Sequence, residues 1–177
     1  MEPTTQPSSP ATQPTYAGFW WRFLAYLIDD IILSFVTFII FAPIWAVMGF
    51  SIFRMTEWGN MDWDFETGVN PHSWGMIASI VGLAIITGLL SIVFEWLYFS
   101  LMESSKYQAT LGKMAVSVKV TDMEGNRISF ARATGRYFGK IISGMILMIG
   151  YIMAGFTAKK QALHDMLANT LVIRTLK

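Results

Sequence analysis

The stretch FWWRFLAYLIDDII, residues 19–32, decides how this chain folds, because it opens a long apolar segment and yet carries three charged side chains. The charge-free residues 31–53 by themselves exceed the roughly 20 residues that a helix needs to cross a bilayer. The charged side chains in the stretch are Arg22, Asp29 and Asp30. A charge near mid-bilayer costs at least ~2.5 kcal/mol, so each of them must lie at the interface or face protein or water.

The composition is that of an integral membrane protein. Of the 177 residues, 54% are hydrophobic and 14% are charged. The formal net charge is only +1, which gives no reason to expect nucleic acid as a partner. The chain has no cysteine, so a disulfide framework, a thiolate nucleophile and a Cys-ligated metal are excluded. The expected partner of such a chain is the lipid bilayer.

Two apolar segments are long enough to be transmembrane helices. The first helix is predicted at about residues 19–50 and the second at about 74–101, where Glu95 is the only charge. Between them, residues 51–73 form a predicted outer loop that contains several acidic residues. Residues 1–15 are rich in Pro, Thr, Ser and Gln and are predicted to be a disordered tail.

A third segment, about residues 131–158, is borderline as a span, because its charge-free part, residues 141–158, is only 18 residues long. It begins with three cations that helical spacing places on one face: Arg132, Arg136 and Lys140. The loop after the second span holds more Lys and Arg than the loop after the first, so the positive-inside rule predicts a cytoplasmic N-terminus.

The C-terminal tail, residues 159–177, is also basic and leaves two topologies open. If this tail is cytoplasmic, the third segment enters the membrane and returns in a hairpin that turns near Gly150, covered by neighbouring protein. In the alternative, the third segment crosses once and the tail lies outside.

A short β element is expected on the cytoplasmic side. Residues 114–130 alternate apolar and polar side chains around a Glu-Gly-Asn turn, which predicts a β-hairpin. The final run LVIRTLK is also of β type, and it could complete a small sheet if the tail is cytoplasmic. The predicted fold class is an all-α membrane protein with two transmembrane helices, a third hydrophobic helical segment that crosses or re-enters, and a small cytoplasmic β-hairpin.

The charged residues of the first two helices are the candidate site. Arg22 and Asp29 are seven residues apart, which puts them on nearly the same helix face, about 10 Å apart along the axis. Asp30 points about a quarter turn away and needs a different partner. Glu95 lies in the same cytoplasmic half, near the end of the second helix. The pattern allows these carboxylates to lie either at the interface or inside the membrane against protein.

Motifs of known enzymes and metal sites are missing from the sequence. It contains no phosphate-binding glycine loop, nucleophile elbow or HExxH motif. The pair His164–Asp165 has no second histidine at a ligand spacing, and the acidic outer loop lacks the glycine and the last acid of an EF-hand. We therefore expect no enzyme activity, no cofactor and no metal site.

Three stretches in this order resemble the RDD family of bacterial membrane proteins, which is named for one arginine and two aspartates. They are AGFWWRFLAYLID, QATLGKMAVSVKVTDMEGNRISFARATGRY and ALHDMLANTLVI. The resemblance places the arginine on Arg22 and the two aspartates on Asp29 and Asp165, while Asp30 falls where the family more often has an apolar residue. It implies a bacterial cytoplasmic (inner) membrane protein. Transport of unidentified ligands has been proposed for the family, and sodium/proton exchange has been reported for some members.

Two functions remain open from the sequence. In the first, the chain is a transporter of a small cation or another ligand, of the sodium/proton exchange type. It uses an intramembrane polar cluster formed by Arg22, Asp29, Asp165 and Glu95. Two or three helices cannot enclose a pathway, so this function requires a homo-oligomer or another membrane protein. In the second, the chain is a structural or accessory membrane protein in which Arg22 and Asp165 pin the third segment and nothing is transported.

Overall fold

The structure is a computed structural model that describes residues 15–58, 71–145 and 149–175. Nearly all of the predicted disordered tail and the central part of the predicted outer loop lie outside these described residues.

Two long helices dominate the fold. Helix α1 is Phe19–Trp58 and helix α2 is Pro71–Ser104, and both are long and apolar enough to cross a membrane. The two predicted spans are thus confirmed, and each helix is longer than the sequence pattern predicted. Among the 18 most apolar residues of each helix, none is buried in α1 and 6% are buried in α2. Exposed apolar side chains of this kind are suited to contact with lipid or with another membrane protein.

A small antiparallel sheet lies beside the start of α1. After the short helix α3, Leu111–Ala115, strand β1, Val118–Asp122, pairs with the C-terminal strand β2, Thr170–Arg174. The predicted small β element is confirmed, but its second strand is the C-terminal run and not the residues that follow the Glu-Gly-Asn turn. Asp122 holds that turn, because its carboxylate accepts backbone N–H bonds at positions 124 and 126 while its own N–H bonds to position 126.

Burial explains this choice of partner strand. Val120 and Val172 lie opposite each other in the register, and both are completely buried in the core beside Ala17 and Ala25. Side chains that directly face each other on one side of a sheet share that burial, so the C-terminal strand adds apolar surface to the core. Tyr16 forms a further bridge to Ile173, which places both ends of the described chain at the same end of the helix pair.

The third apolar segment doubles back on itself. It consists of α4, Phe130–Met145, then α5, Ile149–Ile152, with the 3₁₀ turn Met153–Gly155, and the two parts are bent by 117°. A Cβ added at Gly150 would come within 2.8 Å of the Ser143 Cβ, so only glycine permits this close return. Helix α6, Leu163–Leu167, then packs on α4 where Gly139 meets His164. The predicted fold class is confirmed, including the bent third segment.

Candidate functional site

Asp165 is the centre of a buried cluster of charges. It lies in α6 with its side chain fully buried and accepts a hydrogen bond from the backbone N–H of Ala162 at 3.0 Å. Arg136 of α4 holds one carboxylate oxygen through Nε at 2.8 Å and Nη2 at 2.6 Å. Arg22 of α1 forms an ion pair with the other oxygen. One carboxylate therefore connects the start of the first span with the two helices of the C-terminal half.

The guanidinium of Arg22 also bonds to the backbone. Its Nε donates to the Ala17 carbonyl at 2.9 Å, and Nη2 donates to the Lys160 carbonyl at 2.6 Å. A planar guanidinium can make such a set of bonds because its donors point in fixed, divergent directions. Arg22 thus fixes the chain that follows the third segment, at Lys160 and Asp165, to the beginning of α1.

Glu103, at the end of α2, is the second buried carboxylate. It accepts a bond from Arg136 Nη1 at 2.8 Å and forms an ion pair with Lys113 of α3, while Lys140 Nζ lies 3.7 Å away. Arg136 is 2% exposed and bridges the two carboxylates. We refer to these six residues as the charge network: Arg22, Glu103, Lys113, Arg136, Lys140 and Asp165.

The electrostatics of α6 follow from this arrangement. Burial alone would raise the pKa of Asp165, but Arg136 and Arg22 outweigh burial and hold that pKa well below its usual range. Burial lowers the pKa of the neighbouring His164 to about 3, although Asp165 partly opposes this. The imidazole is therefore neutral at physiological pH, with Nδ1 3.3 Å from the Ser143 hydroxyl. Asp165 stays ionised because its counter-ions are fixed in place.

Asp29 lies in a separate site built by the sequence TLGK, residues 110–113. Its fully buried carboxylate accepts bonds from the Thr110 hydroxyl at 2.5 Å, the Gly112 N–H at 2.7 Å and the Tyr98 hydroxyl at 2.8 Å. A Cβ on Gly112 would overlap the Ala25 carbonyl oxygen and lie 2.8 Å from Asp29 Cγ. Glycine is therefore required for α3 to approach α1. The TLGK stretch supplies two of the three hydrogen-bond donors to Asp29.

A groove of about 630 Å³ lies between α1 and α2. Most of its lining residues are apolar or aromatic. The polar ones are Tyr26, Asp30, Ser34 and Thr37 from α1, and Thr87, Ser91 and Glu95 from α2. Tyr98 bonds to Asp29, Asp30 follows Asp29 in α1, and Glu95 lies one turn before Tyr98 in α2, so Asp30 and Glu95 lie at the same end of the groove. In residues 15–58, 71–145 and 149–175, neither of these two carboxylates forms a salt bridge.

The four predicted site residues lie in three environments. Arg22 and Asp165 are in contact, Asp29 is bound by α2 and α3, and Glu95 faces the groove together with Asp30. The described part of the chain holds no group of three metal-ligating side chains.

Sequence reasoning missed four members of the charge network: Glu103, Lys113, Arg136 and Lys140. A signal for Arg136 was present, because Arg132, Arg136 and Lys140 share one face of α4. Hydropathy gave no way to know that only Arg136 of these three is fully buried. Lys113 and Thr110 carry no such signal, since the four-residue stretch TLGK has no periodicity that indicates what it contacts.

The fold and the site define an integral membrane protein in which two spans are joined at one end by buried ion pairs. The sequence profile of the RDD family matches residues 16–169, and the chain belongs to this family. It is 39% identical to "Uncharacterized protein YxaI" of Bacillus subtilis (strain 168), in an alignment covering 89% of this chain and 96% of the relative. It is 28% identical to "Uncharacterized membrane protein YteJ" of the same organism, over 89% of this chain and 80% of that protein. No solved structure matches the chain.

Proposed function

We propose that this RDD family protein transports a small cation in exchange for protons, and that Asp30 and Glu95 are the exchanging carboxylates. The observation that carries the proposal is the groove between the two spans, where both carboxylates lie without a salt bridge among the described residues. Ionisable residues within a membrane span are costly, and they commonly mark an ion or proton pathway.

The polar residues of the groove are suited to a hard cation. Carboxylate and hydroxyl oxygens are ligands of the kind that such ions prefer. The serines and threonines continue from the two carboxylates along the groove, and Thr37 lies about 10 Å from Asp30 along α1. A cation that reaches Asp30 and Glu95 would replace a proton there without breaking an existing ion pair.

Asp29 is less suited to exchange. Its two oxygens accept three hydrogen bonds, and α3 covers it through Gly112. To bind or release an ion there, the protein would have to break these bonds. The loss of each bond to a charged acceptor costs about 1.5–3 kcal/mol. We assign Asp29 and the Arg22–Asp165 pair to holding the helices in position.

The proposal includes an assembly and an orientation. Two spans with exposed sides cannot enclose a pathway, so we propose that several copies assemble in the bacterial cytoplasmic membrane. The charge network and the sheet would lie at its cytoplasmic side, and the third segment would be re-entrant, because β2 returns to Tyr16. Reporters fused at residues 1 and 177 test the orientation, and a periplasmic signal at either end contradicts it.

Transport is tested in proteoliposomes that contain a trapped pH-sensitive dye, with an imposed sodium gradient. We expect sodium-dependent proton movement for the wild type, its loss in Asp30→Asn and in Glu95→Gln, and its retention in Glu124→Gln. Glu124 is a matched control because it is an exposed carboxylate in the turn after β1, outside the groove.

A comparison with Asp29→Asn separates transport from a purely structural role. This variant is expected to lower stability while the folded fraction keeps its flux. If Asp30→Asn and Glu95→Gln are folded and transport like the wild type, the assignment of the groove is wrong. If the folded wild type moves no protons or sodium, the chain is not a sodium/proton exchanger.

A further inference from the structure

Three residues of α2 link the groove to the charge network. Glu95, Phe99 and Glu103 are spaced by four, so they follow one another along one face of the helix, about 6 Å apart per step. Glu95 and Phe99 line the groove, and Glu103 belongs to the charge network. This face therefore carries a carboxylate at each end and an aromatic ring between them.

Lys140 of α4 lies over the middle of this face. Its Nζ is 3.9 Å from the centre of the Phe99 ring and 3.7 Å from Glu103 Oε1. A cation over an aromatic ring is attracted to the electron-rich face of that ring, so Phe99 holds the ammonium beside Glu103, one helical turn from Glu95. Lys140 interacts electrostatically with both Glu103 and Glu95.

Glu103 does not depend on Lys140 for its charge balance. Lys113 and Arg136 already contact its two oxygens, and Lys140 lies beyond hydrogen-bonding distance. Glu95, in contrast, has no salt bridge among the described residues, and Asp30 of the same groove also interacts with it electrostatically. Lys140 is thus the cation of the charge network that is not hydrogen-bonded to Glu103 and that also acts electrostatically on a carboxylate of the groove.

We propose that Lys140, held over Phe99 beside Glu103, is an internal counter-ion of the groove whose positive charge competes with an entering cation for Glu95, one helical turn away on α2. This inference rests on the proposed function and adds the residue that sets the affinity of the site. Since Lys140 belongs to α4, occupancy of the groove is also coupled to the position of the third segment.

The competition is tested by equilibrium binding of radioactive sodium to the purified protein in nanodiscs at constant pH. Lys140→Met removes the charge and keeps an apolar stem over Phe99, while Lys140→Arg keeps the charge. Lys106→Gln is a matched control, because Lys106 lies over Tyr107 and takes no part in the charge network. Lys140→Gln is the second neutral variant, and thermal unfolding verifies that each variant is folded.

We expect the dissociation constant for sodium to fall about tenfold or more in the two neutral variants, because a unit charge beside Phe99, about one helical turn from Glu95, is removed. Lys140→Arg and Lys106→Gln should remain within about twofold of the wild type. Damage to the fold would weaken binding, so tighter binding cannot arise from a merely structural role. Equal or weaker sodium binding in the folded neutral variants overturns the role of Lys140. In that case, loss of sodium binding in Glu95→Gln would still support the groove as the binding site. Absence of saturable sodium binding in every protein refutes both.

Discussion

Replacement of Arg136 by methionine is the sharpest test of the charge network. The substitution preserves most of the apolar stem but leaves Asp165 without its bonds to Nε and Nη2, and Glu103 without its bond to Nη1. Both carboxylates are buried, so neither can recover the lost bonds from water. Removal of one partner from a buried ion pair costs about 3–5 kcal/mol, and we expect the free energy of unfolding to fall by this amount.

The measurement is reversible unfolding in mixed detergent and SDS micelles, followed by tryptophan fluorescence. Arg132→Met is the matched control, since Arg132 lies one turn earlier on the same face of α4 and is exposed. This control should change stability by no more than about 0.5 kcal/mol. If the free energies of unfolding of Arg136→Met and Arg132→Met differ by less than about 1 kcal/mol, the claim that buried ion pairs hold the two halves together is refuted.

Further predictions concern the Asp29 site and the pH dependence of stability. Gly112→Ala should lower the free energy of unfolding by about 1–3 kcal/mol or more, because its Cβ would clash with the backbone of α1. Gly82→Ala, where a Cβ meets nothing within 4 Å, should be nearly neutral in the same assay, and equal effects would contradict the packing argument. Thr110→Val removes a bond to the charged Asp29 and should cost about 1.5–3 kcal/mol, measured against wild type under the same conditions. His164 has a folded-state pKa of about 3 against about 6.5 when unfolded, so the unfolded chain binds the proton first and stability falls as the pH drops below 6.5. The loss between pH 7.5 and pH 5.5 should be about 1.4 kcal/mol from this residue, and His164→Gln should remove it; an unchanged pH slope in that variant would show that His164 is not buried as a neutral ring.

Much of the fold was predictable because membrane insertion depends on local properties. A run of about 20 apolar residues crosses a bilayer whatever it contacts, so both spans follow from the sequence. The small sheet was predictable in part. Alternation identified β1 and β2, but it could not show that β1 prefers a partner about 50 residues away to the residues directly after the turn, because that preference comes from burial against α1.

The candidate site was less predictable, since helical spacing gives a direction around one helix and no distance to another. It correctly separated Asp29 from Asp30, which face different surroundings: one is fully buried by α3 and the other is exposed in the groove. It placed Arg22 about 10 Å from Asp29 along the helix, and it was the family resemblance that pointed to Asp165, the carboxylate with which Arg22 forms an ion pair.

By itself, the sequence determined that this chain is a membrane protein with two spans, a third apolar segment that either crosses or re-enters, and charges near one end of the first span. Those properties depend on hydrophobicity and periodicity, which are written locally along the chain. Only the tertiary structure decided which charges meet. Arg136 joins Glu103 to Asp165, TLGK surrounds Asp29, and Asp30 and Glu95 share a groove. A buried charge must find its counter-ion wherever the packing of helices places one, and that position is set by the whole fold.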